Sequence, residues 1–229
     1  MVRIGTFLRG IAAIGVLSAS VHVGPVSAAS NSTKDASVRR LQMPGERARQ
    51  RPQISIDAIL ALSLIMRTEN QEDPTYLASR QVVSNGVATR LSLDPTELNR
   101  AWSRAPRDHQ IAVLSALTQL DVPYLEGKED SYVKMDCSGL LWFAWRTAGV
   151  DMPRQAVSQL DRRIRVGRED AIAGDITGEG THVQMYLGTG LAMIHAPFGG
   201  KLVKFKIMSE EQAARVVWTN PSNIATYRL

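Results

Sequence analysis

The chain has 229 residues, 44 % of them hydrophobic and 21 % charged, with a formal net charge of +5. That balance excludes a chain too polar to fold, and the length allows one well-buried domain with a smaller attachment. The single cysteine, Cys137, excludes an internal disulfide and every cysteine-rich zinc arrangement.

Arg3 and Arg9 lie within the first ten residues, an apolar stretch runs from Ile11 to Val26, and Val26, Ser27 and Ala28 supply small side chains. This pattern predicts an export signal over residues 1–28, removed at or near Ala28, and a secreted or wall-associated protein outside the cytoplasm. His22, Gly24 and Pro25 interrupt the stretch, and no later segment approaches the length of a membrane span. Residues 29–52 follow as a basic leader, in which Lys34, Arg39, Arg40, Arg47, Arg49 and Arg51 outnumber Asp35 and Glu46. So few apolar residues predict disorder there, and the charge suits anionic wall polymers rather than nucleic acid in that compartment.

Helical periodicity begins at Ile54 and defines a small all-helical unit over residues 53–119. Its first helix carries Ile56, Ile59, Leu60, Leu62, Leu64, Ile65 and Met66, and its second runs from Tyr76 to Leu91. Asp94, Pro95 and Glu97 spell an N-cap, a first-turn proline and a capping-box partner for a third helix ending near Arg104. A fourth runs from about Arg107 to Leu120, with His109 expected as an exposed residue of its first turn. The short connection from Leu120 to Tyr124 suggests that the unit covers a groove or orients the domain that follows.

That domain, residues 120–229, opens on a helix from Cys137 to about Ala148, stopped by Gly149 and Pro153. Strand-like runs follow over residues 182–187, 191–195, 202–207 and 216–219, with glycine-bearing turns between the first three. Thr177 to Thr181 reads as a polar link. Helices first and antiparallel strands afterwards describe an α+β domain.

A thiol at a helix N-terminus sits among unpaired amides and the positive dipole end, which favours the nucleophilic thiolate. Two histidines offer a base. If Gly188 and Thr189 form a two-residue turn, His182 pairs directly with His195; if Thr189 and Gly190 form it, His195 pairs with Gln184 and stays diagonal to His182. Both registers put the imidazoles on one face, whereas a three-residue loop would separate them unless a bulge intervened. A cysteine and two separated histidines lack a fourth ligand at zinc spacing, so no metal or other cofactor is expected.

Tyr124 with Gly127, Asp136-Cys137-Ser138-Gly139-Leu140, Pro153-Arg154 with Gln159, Gly174-Asp175, His182-Val183 with Tyr186-Leu187-Gly188, and Ile194-His195-Ala196-Pro197 together resemble the motifs of the NlpC family of cell-wall cysteine peptidases. The likeness covers about residues 120–221. It implies a papain-like fold, with the cysteine helix packed on an antiparallel sheet bearing the histidines. It also implies hydrolysis of peptidoglycan stem peptides, typically between D-glutamate and meso-diaminopimelate. In these terms Cys137 matches the nucleophile, His182 the general base, His195 the group that orients it and Tyr124 the hydroxyl beside the oxyanion. Asp136, Ser138, Arg154 and Gln184 match positions along the substrate groove. Four features depart from the family pattern: one extra residue between the histidines, Gln184 where glycine is common, Ala156 where serine is usual, and the polar link Thr177 to Thr181 where aromatic residues often follow.

A free thiol of pKa near 8.5 is only about 3 % ionised at pH 7, so the pairing with His182 is expected to lower that pKa. A non-catalytic wall-binding module, or a cysteine-dependent acyltransferase or amidase, would share the scaffold.

Overall fold

The computed structural model describes residues 50–227. The expected export segment, and the leader up to residue 49, lie outside the described residues. Of the remaining leader residues, Arg51 rests against the body of the protein, its guanidinium 4.3 Å from the centre of the Tyr132 ring.

Four helices come first: α1 (Gln53–Arg67), α2 (Pro74–Leu91), α3 (Pro95–Arg104) and α4 (Arg107–Leu117). Asp73 caps α2 by accepting from the amides of Thr75 and Tyr76, and Asp94 does the same for α3 at Thr96 and Glu97, each with proline in the first turn. The first helix is inverted relative to its composition. Ser55, Ala58, Ala61 and Ile65 face inward, while Ile56, Ile59, Leu60 and Met66 are exposed. Small side chains let α1 approach closely, and the Ser55 hydroxyl donates 2.7 Å to the carbonyl of Thr118 just past α4. Every residue of α4 from His109 to Leu117 is buried, as befits a helix packed between α1 and the cysteine helix.

A two-stranded ribbon, β1 (Glu129–Asp130) and β2 (Lys134–Met135), leads into α5 (Cys137–Thr147) and a single turn, α6 (Ala156–Gln159). Gly149, at φ +87°, ends α5, and the Val150 amide reaches back to the carbonyl of Trp145. Strands β3 (Ile176–Glu179), β4 (His182–Tyr186), β5 (Ala192–His195), β6 (Lys204–Ile207) and β7 (Val217–Thr219), with α7 (Glu210–Arg215) before the last, complete the domain. They form an antiparallel sheet in the order β6-β5-β4-β3-β7. Leu140, Leu141, Ala144 and Trp145 of α5 share a buried core with Ile176, Val183, Met185 and Ile194 of the sheet. The architecture is therefore the expected α+β, papain-like one, and its core runs without a break into Ala61, Val83, Trp102 and Leu114 of the four helices.

Two local expectations change. The polar link after Ile176 is the second strand from the β7 edge, paired with β4 on one side and β7 on the other. Thr177 is fully buried there, its hydroxyl donating 2.9 Å to the carbonyl of Val217. His109 is not exposed but fully buried, with Nδ1 3.0 Å from Asp108 and Nε2 3.1 Å from Asp175, and its ring set edge-on to Trp145. A carboxylate on each side satisfies both ring nitrogens, which is what lets a histidine sit there.

Candidate active site

The start of α5 is fixed by one carboxylate. Asp136 accepts 2.6 Å from the Gly139 amide as the helix N-cap and 2.8 Å from the Gly127 amide. Arg154 grips both its oxygens, Nη1 to Oδ1 at 3.0 Å and Nη2 to Oδ2 at 2.9 Å, and also reaches Ser138 Oγ at 2.9 Å and Glu129 at 2.9 Å. These hydrogen bonds and the Arg154 charge hold the Asp136 carboxyl below its usual range in spite of burial, and the two carboxylates hold the guanidinium above its own. Glycine follows Ser138 because a Cβ at Gly139 would stand 2.3 Å from the carbonyl oxygen of Lys128.

Cys137, 7 % exposed, therefore sits on a rigid helix end, its thiol 3.5 Å from the carbonyl oxygen of Thr181. Burial pushes the thiol pKa up, and the adjacent Asp136 carboxylate adds to this against the amides of Val183, Ser138 and Cys137 itself. The lowered thiol pKa expected from the helix terminus is thus not found in the free protein. An anionic N-cap cancels the favourable end of the dipole, and the thiol stays protonated as a donor to Thr181.

The two histidines meet as anticipated from the alternation of β4 and β5: His182 Nε2 lies 3.2 Å from His195 Nδ1, with the rings nearly perpendicular. Met185 pairs with Ile194 and Tyr186 with Met193, the diagonal register of the two considered. Four residues, Gly188 to Leu191, make the turn, so the extra residue is absorbed in the loop without a bulge in the strands. Burial, with the charge of Lys206 behind it, lowers the His182 pKa below 6.5. His195 is lowered further, to about 3, by burial, then by His182 and the charges of Lys206, Lys204 and Lys201. Both are neutral at neutral pH.

Cys137 and His182 line one groove of about 780 Å³ with Tyr124, Asp136, Ser138 and Arg154. Burial raises the Tyr124 hydroxyl pKa, and negative charge on Cys137, Asp136 and Glu126 raises it further, which puts the phenol in the field of the thiol. Gln184 does not line this groove. It is 3 % exposed, and its amide nitrogen points to Met208 Sδ at 3.2 Å on the sheet side, so its expected place along the substrate is not kept. Position 184 faces away from α5 in mid-strand, where only small or well-packed side chains fit.

Sequence reasoning missed Glu129, Gln155 and three further lining residues. Glu126 precedes Gly127, Val157 stands exposed on α6, and Phe198, 70 % exposed, leans on Tyr124 with ring centres 5.6 Å apart. Their proximity to identified motif residues was the available signal. No lining residue comes from α1 to α4, so the helices do not cover the groove in this conformation. Among the described residues no cluster of three or more histidine, cysteine or acidic side chains could hold a metal ion.

Residues 121–220 match the family model described as the NlpC/P60 family. The chain is 32 % identical over 90 residues to the bifunctional muramidase/DL-endopeptidase CwlT of Bacillus subtilis, covering 36 % of this chain and 27 % of CwlT. It is 26 % identical over 171 residues to the peptidoglycan endopeptidase RipB of Mycobacterium tuberculosis, covering 57 % of this chain and 71 % of RipB. The chain thus spans little more than a quarter of CwlT. Among solved structures, NlpC1 from Trichomonas vaginalis is 28 % identical with a TM-score of 0.41, covering 49 % of this chain and 45 % of that one.

Proposed function

With residues 121–220 forming an NlpC/P60 domain, we propose that the protein is an extracytoplasmic peptidoglycan endopeptidase that hydrolyses stem peptides, at the D-glutamyl to meso-diaminopimelate bond, through Cys137. The observation that carries this reading is the 3.2 Å contact between His182 and His195 beside the groove in which Cys137 begins α5. The names of CwlT and RipB support the substrate class.

Neutral thiol and neutral imidazole are the resting pair, so the proton moves as the sulfur attacks. His182 takes the Cys137 proton while Sγ bonds to the scissile carbonyl carbon. The resulting oxyanion is met by the Cys137 backbone amide and the Tyr124 hydroxyl. His182 returns the proton to the leaving amine, the C–N bond breaks, and a thioester remains. Water, deprotonated by His182, attacks that thioester and releases a carboxylate and the free thiol. The path needs no metal. Asp136, Ser138 and Arg154 form the groove wall beside the nucleophile. The predicted export segment agrees with a wall substrate, and the basic leader is suited to hold the enzyme against anionic wall polymers.

Incubating a defined muropeptide and reading product masses tests this. Cleavage between the second and third stem residues by wild type, and none by Cys137→Ala, is expected; identical products from both would refute the reading.

A further inference from the structure

A second cavity, of about 420 Å³, shares no lining residue with the catalytic groove. Its floor is made by Tyr186 and Trp218, with ring centres 5.4 Å apart at 87°, and its rim by Leu191, Ile207, Arg168 and Glu210. By the alternation of β4, Tyr186 lies on the same face of the sheet as His182.

Several polar groups there lack partners. The indole N–H of Trp218 has no acceptor although the residue is only 5 % exposed, and the Tyr186 hydroxyl makes no hydrogen bond among the described residues. At the rim Arg168 donates 2.6 Å to Glu210, with both side chains reaching solvent. Leu191, at φ +51°, closes the four-residue turn between β4 and β5 in a left-handed conformation that costs about 1 kcal/mol, and its side chain lines the cavity. Ile207 stays largely exposed beside it.

This combination selects a ligand by elimination. A purely apolar molecule would leave the phenol and the guanidinium–carboxylate pair unused, and a strongly charged one would meet a like charge in either Arg168 or Glu210. A neutral ring with one apolar face and several hydroxyls fits the accessible lining: C–H groups against Tyr186, Leu191 and Ile207, hydroxyls to Arg168, Glu210 and the Tyr186 phenol. We propose that this cavity is a carbohydrate subsite that takes a pyranose ring of a neutral glycan. That the glycan is the wall polymer carrying the stem peptides rests on the proposed function. Four strand positions, about 13 Å, separate Tyr186 from His182 along β4.

Full-length Cys137→Ala protein titrated with the soluble tetramer of N-acetylglucosamine, followed by ligand-observed saturation-transfer NMR, tests the site. Saturable binding is expected, weakened about tenfold by Arg168→Ala and by Tyr186→Phe in variants whose melting curves match the parent. In the active protein, Arg168→Ala should lower turnover of glycan-linked substrate about tenfold and leave that of the free stem peptide unchanged. Absence of saturation, or binding that both variants leave intact, overturns the carbohydrate subsite. Glycan binding without any peptide cleavage would uphold the subsite and refute the hydrolase reading.

Discussion

A neutral histidine has one ring N–H, and the 3.2 Å contact between His182 Nε2 and His195 Nδ1 holds one proton. If that proton belongs to His195, His182 keeps its other proton on Nδ1 and cannot act as a base. If it belongs to His182, Nδ1 of His182 is free to take the thiol proton, and the His195 proton sits on Nε2, which is buried without a partner. The productive tautomer therefore carries an unbonded N–H that costs about 1–3 kcal/mol. A glutamine at 195 offers His182 an amide oxygen that only accepts, which fixes the productive tautomer of His182. His195→Gln is expected to retain most of kcat/KM on a muropeptide, whereas His195→Leu should lose about 10²–10⁴-fold; equal losses would remove His195 from an orienting role. The pH profile follows from the same pair. His182 works neutral, and its pKa lies below 6.5, so the acid limb of kcat/KM should have its midpoint below pH 6.5. Lys206→Glu replaces a charge that disfavours imidazolium with one that favours it, and should move the limb upward by about half a unit. A limb that stays in place would show that Lys206 is not felt at His182. The two histidines were legible in the sequence because strand alternation puts them on one face for a turn of two or four residues, and the turn has four. Which atom of each ring faced the other was not, since that depends on rotamers.

At the level of elements, the nucleophile is placed by the packing of a turn against the first residues of α5. The Lys128 carbonyl accepts 2.8 Å from the Asp136 amide and occupies the space in which a Cβ of residue 139 would stand. Gly139→Ala must push that carbonyl away, loosening the N-cap and Cys137 together. We expect a loss of about 2 kcal/mol in stability and slower alkylation of the thiol by iodoacetamide, with unchanged melting and reactivity as the contrary result. Sequence pattern identified the helix and the Gly149 that ends it because that information is local, whereas the capping by Asp136 and the close approach at Gly139 depend on the Lys128 turn and on Arg154. It failed at β3, where Thr177 and Gly178 look like loop residues, because their pairing partners lie at residues 183–184 and 217–218. It failed also on the orientation of α1, since small residues at Ala58 and Ala61 pack more closely than the leucines and isoleucines that mark a core by composition.

At the level of the molecule, the four helices and the catalytic half share one core, and a charged cluster is buried at their junction. His109 of α4 bridges Asp108 and Asp175, the residue before β3, and Ser222 near the C-terminus donates to Asp108. No sequence pattern could assign this role, because Asp175 lies 66 positions away. Burial disfavours the imidazolium, but the two flanking carboxylates outweigh it and raise the His109 pKa above 6.5. Its contribution to stability is thus fully present below pH 6.5 and is lost as pH rises through the raised folded value. Asp108, lowered to about 2, works in the other direction: its contribution is present above 3.8 and fades as pH falls towards 2. Asp175 is raised by burial, so its ionised form is a cost at neutral pH that His109 offsets. The cluster should therefore support the fold best between about pH 4 and 6.5. His109→Leu fills the space but leaves the buried Asp175 and the partly exposed Asp108 without their cation. It is expected to destabilise by about 3 kcal/mol near pH 5, a fall of roughly 10 °C in melting temperature, and by less once pH has risen through the raised His109 value, where wild type has lost the charge as well. Melting curves of both proteins from pH 4 to 9 measure this directly. A difference that does not change with pH would mean that His109 is neutral and acts by packing against Trp145 alone. The same cluster bears on truncation: removing the helices strips α5 of the partner that buries it and leaves Asp175 unpaired in the exposed junction, so a fragment of residues 120–229 should unfold rather than gain or lose regulation.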